Sequence, residues 1–291
     1  MWLILGANGQ LGKCLQAVLT AIDISFTAVD RQTLDITNRD ACIKLFTSLS
    51  PEVVVNCAAW TAVDLAEENE AEAFRVNCDA TRNIAIASRG VNAINVHIST
   101  DYIFPGVADT PYEVNSPTAP VSIYGKSKLC GEIAITEEYS EKSYIVRTAW
   151  LYSPHGGNFV KTMIRKARTS SPVRVVSDQL GQPTLAADLA EHIVDLVTRQ
   201  APYGIFHGTN SGAASWYDLT VEIYKQLGVD TSLVSPVATS EYPTKAVRPQ
   251  YSVLSHARTI ECGVAEMQNW QTALKESLPN IAKVISEETP Q

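Results

Sequence analysis

The sequence predicts an α/β protein on a doubly wound parallel sheet, with a smaller C-terminal α/β region. Three observations carry that expectation. Short β-rich runs alternate with helical ones through roughly the first 150 residues, the pattern of a sheet whose strands are joined by helices. The run Pro51-Glu52-Val53-Val54-Val55-Asn56-Cys57 lacks apolar–polar alternation, as a strand covered on both faces should. The first run, Trp2-Leu3-Ile4-Leu5, passes directly into a glycine turn and then a helical pattern.

Taken in order, strands are expected at 2–5, 25–29, 52–57, 93–99 and 143–148, and helices near 10–21, 38–49, 67–89 and 122–139. Cys14-Leu15 and Val18-Leu19 are spaced for one face of the first helix. Prolines at 154, 172, 183, 202, 236, 243 and 249 break the second half into short pieces, consistent with a region folded over the sheet edge. The expected organisation is a dinucleotide-binding part over 1–150 and a mainly substrate-binding part over 151–291, with some segments, at about 173–208, returning to the sheet. No internal repeat, low-complexity tract or clean linker separates them.

Composition narrows the function classes. The chain has 291 residues, 45% hydrophobic and 19% charged, enough to bury a sizeable core. No apolar run approaches the roughly 18 residues that span a bilayer, and no basic leader precedes the first strand, so the expectation is a cytoplasmic protein with no membrane partner. A net charge of -8 argues against a nucleic-acid surface. Six cysteines, at 14, 42, 57, 78, 130 and 262, show no CxxC pairing and read as reduced core residues, supporting neither a disulfide framework nor a zinc site.

The turn Gly6-Ala7-Asn8-Gly9-Gln10-Leu11-Gly12 has GxxGxxG spacing. Gly6 allows the tight turn, Gly9 lets backbone approach a pyrophosphate, and Gly12 lets the helix pack close to the strand. The helix N-terminus would then offer N–H groups and a positive dipole end to phosphate. Asp30 follows Gly9 by 21 residues, at the end of the second strand, where an acid can bind a ribose hydroxyl pair. The arrangement is Rossmann-like.

Ligands of such sheets lie beyond the carboxyl ends of the strands, which directs attention to Ala58-Ala59-Trp60-Thr61 and Ser99-Thr100-Asp101-Tyr102. Tyr124 and Lys128 stand one helical turn apart and share a face. A cation beside a phenol draws its pKa down from about 10, one way to make a proton donor for a carbonyl. Thr100 could share that carbonyl oxygen with Tyr124; the plainer reading is that it caps a turn. Ala58 and Ala59 either admit a flat cofactor or merely pack. His155 and His207 have no partners at metal-ligand spacing.

Together the GxxGxxG turn, Asn56-Cys57-Ala58-Ala59, Ser99 to Phe104 and Tyr124-Gly125-Lys126-Ser127-Lys128 resemble the extended short-chain dehydrogenase/reductases. Arg147 to Tyr152, Asn158-Phe159, Asp178 to Thr184 and Arg248-Pro249 narrow the resemblance to the dTDP-4-dehydrorhamnose reductase family, over residues 1 to about 255. The resemblance implies NADPH or NADH as cofactor, a dTDP-linked 4-keto sugar as substrate, and Tyr124 as proton donor while the nicotinamide delivers hydride to C4. It implies that Gly9, Gln10 and Leu11 hold the pyrophosphate, Asp30 the adenosine ribose and Asp35-Ile36 the adenine, with Ala59, Trp60 and Thr61 further in. Lys128 would bind the nicotinamide ribose and hold down the pKa of Tyr124. Thr100, Asp101, Trp150 and Arg248 would contact substrate. Trp150 reads equally as core, Asp101 as a turn cap and Arg248 as a surface arginine.

Some positions depart from the family pattern. Trp60 is bulkier than the His or Tyr often found there. Lys13 stands where some relatives have a carboxylate for a dimer-bridging magnesium, so no metal is expected and a homodimer stays open. Asp30 favours NADH by repelling a 2′-phosphate, whereas Arg31 could bind one. Two alternatives remain: an epimerase or dehydratase on the same fold, and a non-catalytic cofactor-binding regulatory subunit.

Overall fold

A computed structural model describes residues 1–288. The elements are β1 (Trp2–Leu5), α1 (Gln10–Ala21), β2 (Phe26–Val29), α2 (Arg39–Leu49), β3 (Val53–Asn56), α3 (Val63–Ala66), α4 (Glu70–Phe74), α5 (Ala80–Gly90), β4 (Ile94–Thr100), α6 (Ile123–Tyr139) and β5 (Ser143–Thr148). After these come β6 (Leu151–Tyr152), α7 (Phe159–Arg168), β7 (Val173–Val176), β8 (Leu180–Gly181), β9 (Thr184–Leu185), α8 (Ala186–Thr198), β10 (Gly204–His207), β11 (Ala214–Ser215), α9 (Trp216–Gln226), β12 (Val234–Val237), α10 (Ala257–Glu261) and α11 (Trp270–Glu288).

Six parallel strands form the central sheet in the order β10-β5-β4-β3-β1-β2, the doubly wound architecture read from the sequence. The pleat divides its side chains between two covered faces. Ile4, Val53 and Val55 pack with Leu15, Leu189 and Ile193 on one side, while Leu3, Leu5 and Val54 pack with Phe46 and Ile84 on the other. Each such buried aliphatic side chain stabilises the fold by about 1.5–3 kcal/mol. Helices α7, α9 and α11 build a second core around Tyr152, Ile164, Ile223, Leu274 and Ile281. No described helix is long and apolar enough to cross a membrane.

The structure revises three expectations. The helix expected over 67–89 runs without a break from 70 to 90, as α4, a π-helical turn at Arg75–Asp79 and α5, with the short α3 ahead of it. Asn77 in that turn bonds Trp60 N–H, Trp60 C=O and Ser127 Oγ, so its side chain serves tertiary partners. Within 173–208, Val173–Val176 pairs with Val234–Val237 outside the central sheet; β10 is the strand that rejoins it, with α8 packed against α1. Cys78 and Cys130 form a disulfide, against the expectation of six reduced thiols. Their separation of 52 residues gives no local signal, because packing of the π-helical turn against α6 brings them together.

Candidate active site

The order of winding reverses between β1 and β3, and the loops leaving these strands open a cleft. Gly6 sits at φ +74°, and a Cβ there would lie 2.7 Å from Ala58 N, so the β1 and β3 loops touch backbone to backbone. A Cβ on Gly12 would lie 2.4 Å from Gly6 O, so this glycine serves the close packing of α1. Gly9 is the N-cap of α1 with no side-chain cap, which leaves first-turn N–H groups for an anion.

Two cavities meet at Asn8, Gly9, Cys57, Ala58 and Ala59. The outer one, about 750 Å³, is lined by Gly6, Asp30, Arg31, Asp35, Ile36 and Trp60 among others. The inner one, about 570 Å³, receives Gln10, Leu11, Thr61, Thr100, Asp101, Tyr124, Lys128 and Trp150. A long cleft with a glycine turn and open N–H groups at its waist fits a dinucleotide, with adenosine outward and nicotinamide inward. The Gln10 Oε1 accepts from Ser153 Oγ and Asn158 Nδ2, which ties this side chain to the loop after β6.

The carboxylate of Asp30 is already occupied. Its Oδ1 accepts from Gln32 N, Thr33 N and Thr33 Oγ1, and its Oδ2 from Asn8 Nδ2, contacts that hold its pKa down, the Thr33 backbone bond foremost. Asp35 likewise accepts from Thr37 Oγ1 and Thr37 N.

At the inner end, β4 delivers Thr100 and Asp101 and α6 delivers Tyr124 and Lys128. Ser122 caps α6 by accepting from Gly125 N, and Glu132 ties the helix to β5 through two bonds from Arg147, at 3.0 and 2.7 Å. Burial pushes the Tyr124 phenol well above its ordinary 10, and hydrogen bonding with Thr100 opposes this. The lowering by Lys128 expected from the sequence is absent: that nitrogen contacts His97 Nε2 at 3.0 Å and Ile98 O at 2.6 Å. Burial brings Lys128 from 10.5 down to about 8. Thr100 Oγ1 donates to Asp101 Oδ1 at 2.9 Å, so its proton is committed while Asp101 is ionised. Asp101 is 1% exposed, and burial raises it from 3.8 to about 6.

Trp150 lines the inner cavity at φ +46° and stacks on Trp216, with centroids 3.5 Å apart and planes 7° off parallel. Arg248 is not in this cavity. It lines an adjoining one that shares Tyr102, Phe159 and Trp216 with the first, and its Nη2 pairs with Asp64 Oδ2 at 2.7 Å. Sequence reasoning missed His97, Asn77 and Trp216. His97 and Trp216 look like ordinary core residues in the chain, and only their packing partners single them out.

Comparison with known proteins agrees with this geometry. The family described as RmlD substrate binding domain matches residues 1–283. A dTDP-4-dehydrorhamnose reductase of Streptomyces griseus is 44% identical, covering 96% of this chain and 93% of the relative. A dTDP-4-keto-6-deoxy-D-glucose reductase of Streptomyces niveus is 41% identical, covering 96% of each. The crystal structure of a Bacillus anthracis dTDP-4-dehydrorhamnose reductase in complex with NADP superposes with a TM-score of 0.92 at 38% identity, covering 96% of this chain and 98% of that one. On its sequence and its fold, the chain belongs to the RmlD substrate binding domain family, that of the dTDP-4-dehydrorhamnose reductases.

Proposed function

We propose that this protein is an NADPH- or NADH-dependent reductase that converts the C4 ketone of dTDP-4-dehydro-L-rhamnose to the alcohol of dTDP-L-rhamnose. The observation that carries the reading is a phenol, kept neutral by burial, opening on the same cavity as Lys128, Thr100 and Trp150, beside a dinucleotide cleft. Reduction of a ketone needs a proton for the oxygen, and a protonated phenol is an acid ready to supply it. The reduced nicotinamide supplies the hydride.

The chain's own groups do the rest. First-turn N–H groups of α1 take the pyrophosphate, and Lys128 approaches the nicotinamide ribose. Tyr124 donates its proton to the sugar oxygen, while Thr100 and Asp101 fix the sugar near the phenol. Trp150 presents its indole as an apolar wall for the 6-deoxy sugar. Arg248, with a buried Nη1 that has no partner, reaches the diphosphate. Holding the nucleotide end orients the reacting carbon, an effect worth several orders of magnitude in rate. The reading locates the protein in the cytoplasm.

The test follows loss of reduced-cofactor absorbance with dTDP-4-dehydro-L-rhamnose and each cofactor. No turnover with either cofactor sinks the reading. The likeness to the Streptomyces niveus enzyme adds a second arm with dTDP-4-keto-6-deoxy-D-glucose, and faster turnover there would reassign the sugar. We expect activity with both cofactors, because the Asp30 carboxylate is engaged by its own loop and Arg31 lies beside it on the cleft. A preference of a hundredfold or more for either cofactor would contradict that.

A further inference from the structure

The segment Asp178 to Thr184 takes no part in the proposed chemistry, yet it lies directly against Trp150. A Cβ at Gly181 would lie 2.6 Å from Trp150 Cε2 and 2.8 Å from both Cζ2 and Nε1, the atoms bonded to Cε2. An approach along the ring plane would bring those neighbours nearer than Cε2, so the glycine sits over a face of the indole. Trp216, stacked with its centroid 3.5 Å away, fills the other face. Only the edge of Trp150 is left for the inner cavity that this residue lines.

The two jaws of this clamp are built together. Gly181 pairs with Ala214 and Leu180 with Ser215, in the short antiparallel ladder that leads straight into Trp216. One ladder therefore sets the gap between the jaws, and only glycine leaves room in it for a ring. The segment is itself fixed on both sides of Gly181: Asp178 accepts from Thr239 N and Oγ1, and Gln182 Oε1 accepts from Thr209 Oγ1 and Leu254 N. Thr184 N donates to Trp150 O at 3.2 Å, so the same segment pins backbone as well as ring. Trp150 needs that restraint. It sits at φ +46°, a left-handed conformation that a bulky residue keeps only where its surroundings over-determine it.

We propose that Gly181 and Trp216 are positioning residues that clamp the Trp150 indole edge-on to the inner cavity, and that this fixed edge sets the affinity for the sugar. The inference rests on the reading that the sugar of a dTDP-linked substrate occupies that cavity. An indole gripped on both faces has little freedom left to lose when a ligand arrives, so contact with its edge costs little ordering. A methyl group at Gly181 would force the ring to shift, and the wall of the cavity with it.

Calorimetric titration of the parent protein and of Gly181→Ala with dTDP-L-rhamnose, dTDP and NADPH tests this. The variant is expected to bind dTDP-L-rhamnose about tenfold or more weakly, while dTDP and NADPH affinities stay within about twofold. In steady-state kinetics the loss should appear in the sugar KM more than in kcat. In a Trp150→Ala background the methyl has no ring to strike, and Gly181→Ala should add nothing. Equal losses in both backgrounds, or losses shared by dTDP and NADPH, overturn the proposal. Should Gly181→Ala not fold, Trp216→Phe is expected to keep most of the affinity for dTDP-L-rhamnose and Trp216→Leu to lose it; parent affinity in Trp216→Leu overturns the proposal. A ligand-free readout is independent of the substrate. Among the indole N–H signals of the five tryptophans, that of Trp150 is the one lost in Trp150→Ala, and it should move in Trp216→Leu because a stacked ring shields what lies over its face. A signal that stays in place overturns the clamp. A parent protein that binds no dTDP sugar would sink the proposed substrate while leaving the indole readout intact.

Discussion

The groups that define the site work against their ordinary chemistry. Tyr124 is a phenol made less acidic, which suits a donor in the reducing direction better than a base. Tyr124→Phe keeps the ring and its edge contact with Tyr102, with centroids 5.5 Å apart, but deletes the proton. Turnover is expected to fall by about 10²–10⁴-fold with cofactor affinity nearly unchanged, measured by steady-state kinetics beside direct NADPH binding. Asp101 gives a stability prediction. Its folded pKa, about 6, lies above the ordinary 3.8, so the folded state holds the proton more tightly. Stability attributed to this carboxyl is therefore fully present below about pH 4 and lost as pH rises toward 6, by about 3 kcal/mol. Asp101→Asn removes that loss. Its melting temperature should exceed that of the parent protein at pH 7 and approach it at pH 4; an equal difference at both would count against the assignment. The paired residues Tyr124 and Lys128 were legible from spacing, whereas His97 was not: in sequence it is one more position of an apolar strand, and its meaning lies in the lysine 31 residues away.

Among elements, α6 carries the most. It brings Tyr124 and Lys128 to the cleft, and three fastenings hold it: the Ser122 cap, the Arg147–Glu132 pair and the Cys78–Cys130 disulfide. The ion pair is 3% and 4% exposed, so Glu132→Gln would leave a buried guanidinium without its countercharge, at a cost of about 3–5 kcal/mol seen in denaturant unfolding. The disulfide closes a long loop and should stabilise by about 4 kcal/mol through the unfolded chain. A thiol reductant is expected to lower the melting temperature of the parent protein and leave that of Cys130→Ser unchanged. Strand limits, and the helices at 10–21 and 122–139, could be read from the chain because apolar runs and glycine punctuation set them locally. The π-helical turn could not, since Asn77 earns its place only through Trp60 and Ser127.

The whole molecule interlocks its two halves. β10 closes the sheet edge beside β5, and α8 covers the face on which α1 lies. A fragment ending at residue 150 would expose Val146 and Leu15 to water, so it should lack fixed near-ultraviolet dichroism and aggregate, whereas the full chain melts cooperatively. A return to the sheet within 173–208 was legible in the chain, but not which segment makes it, because α8 and β10 lie inside the proline-broken stretch. Near the junction stand Trp150, just beyond β5, and Trp216, opening α9. Two indoles so close and so nearly parallel share their electronic excitation, which splits the far-ultraviolet dichroism band into lobes of opposite sign. The protein thus carries a label-free optical gauge of its own cleft: a sugar that slides against Trp150 or shifts α9 should change the splitting before any cofactor is oxidised.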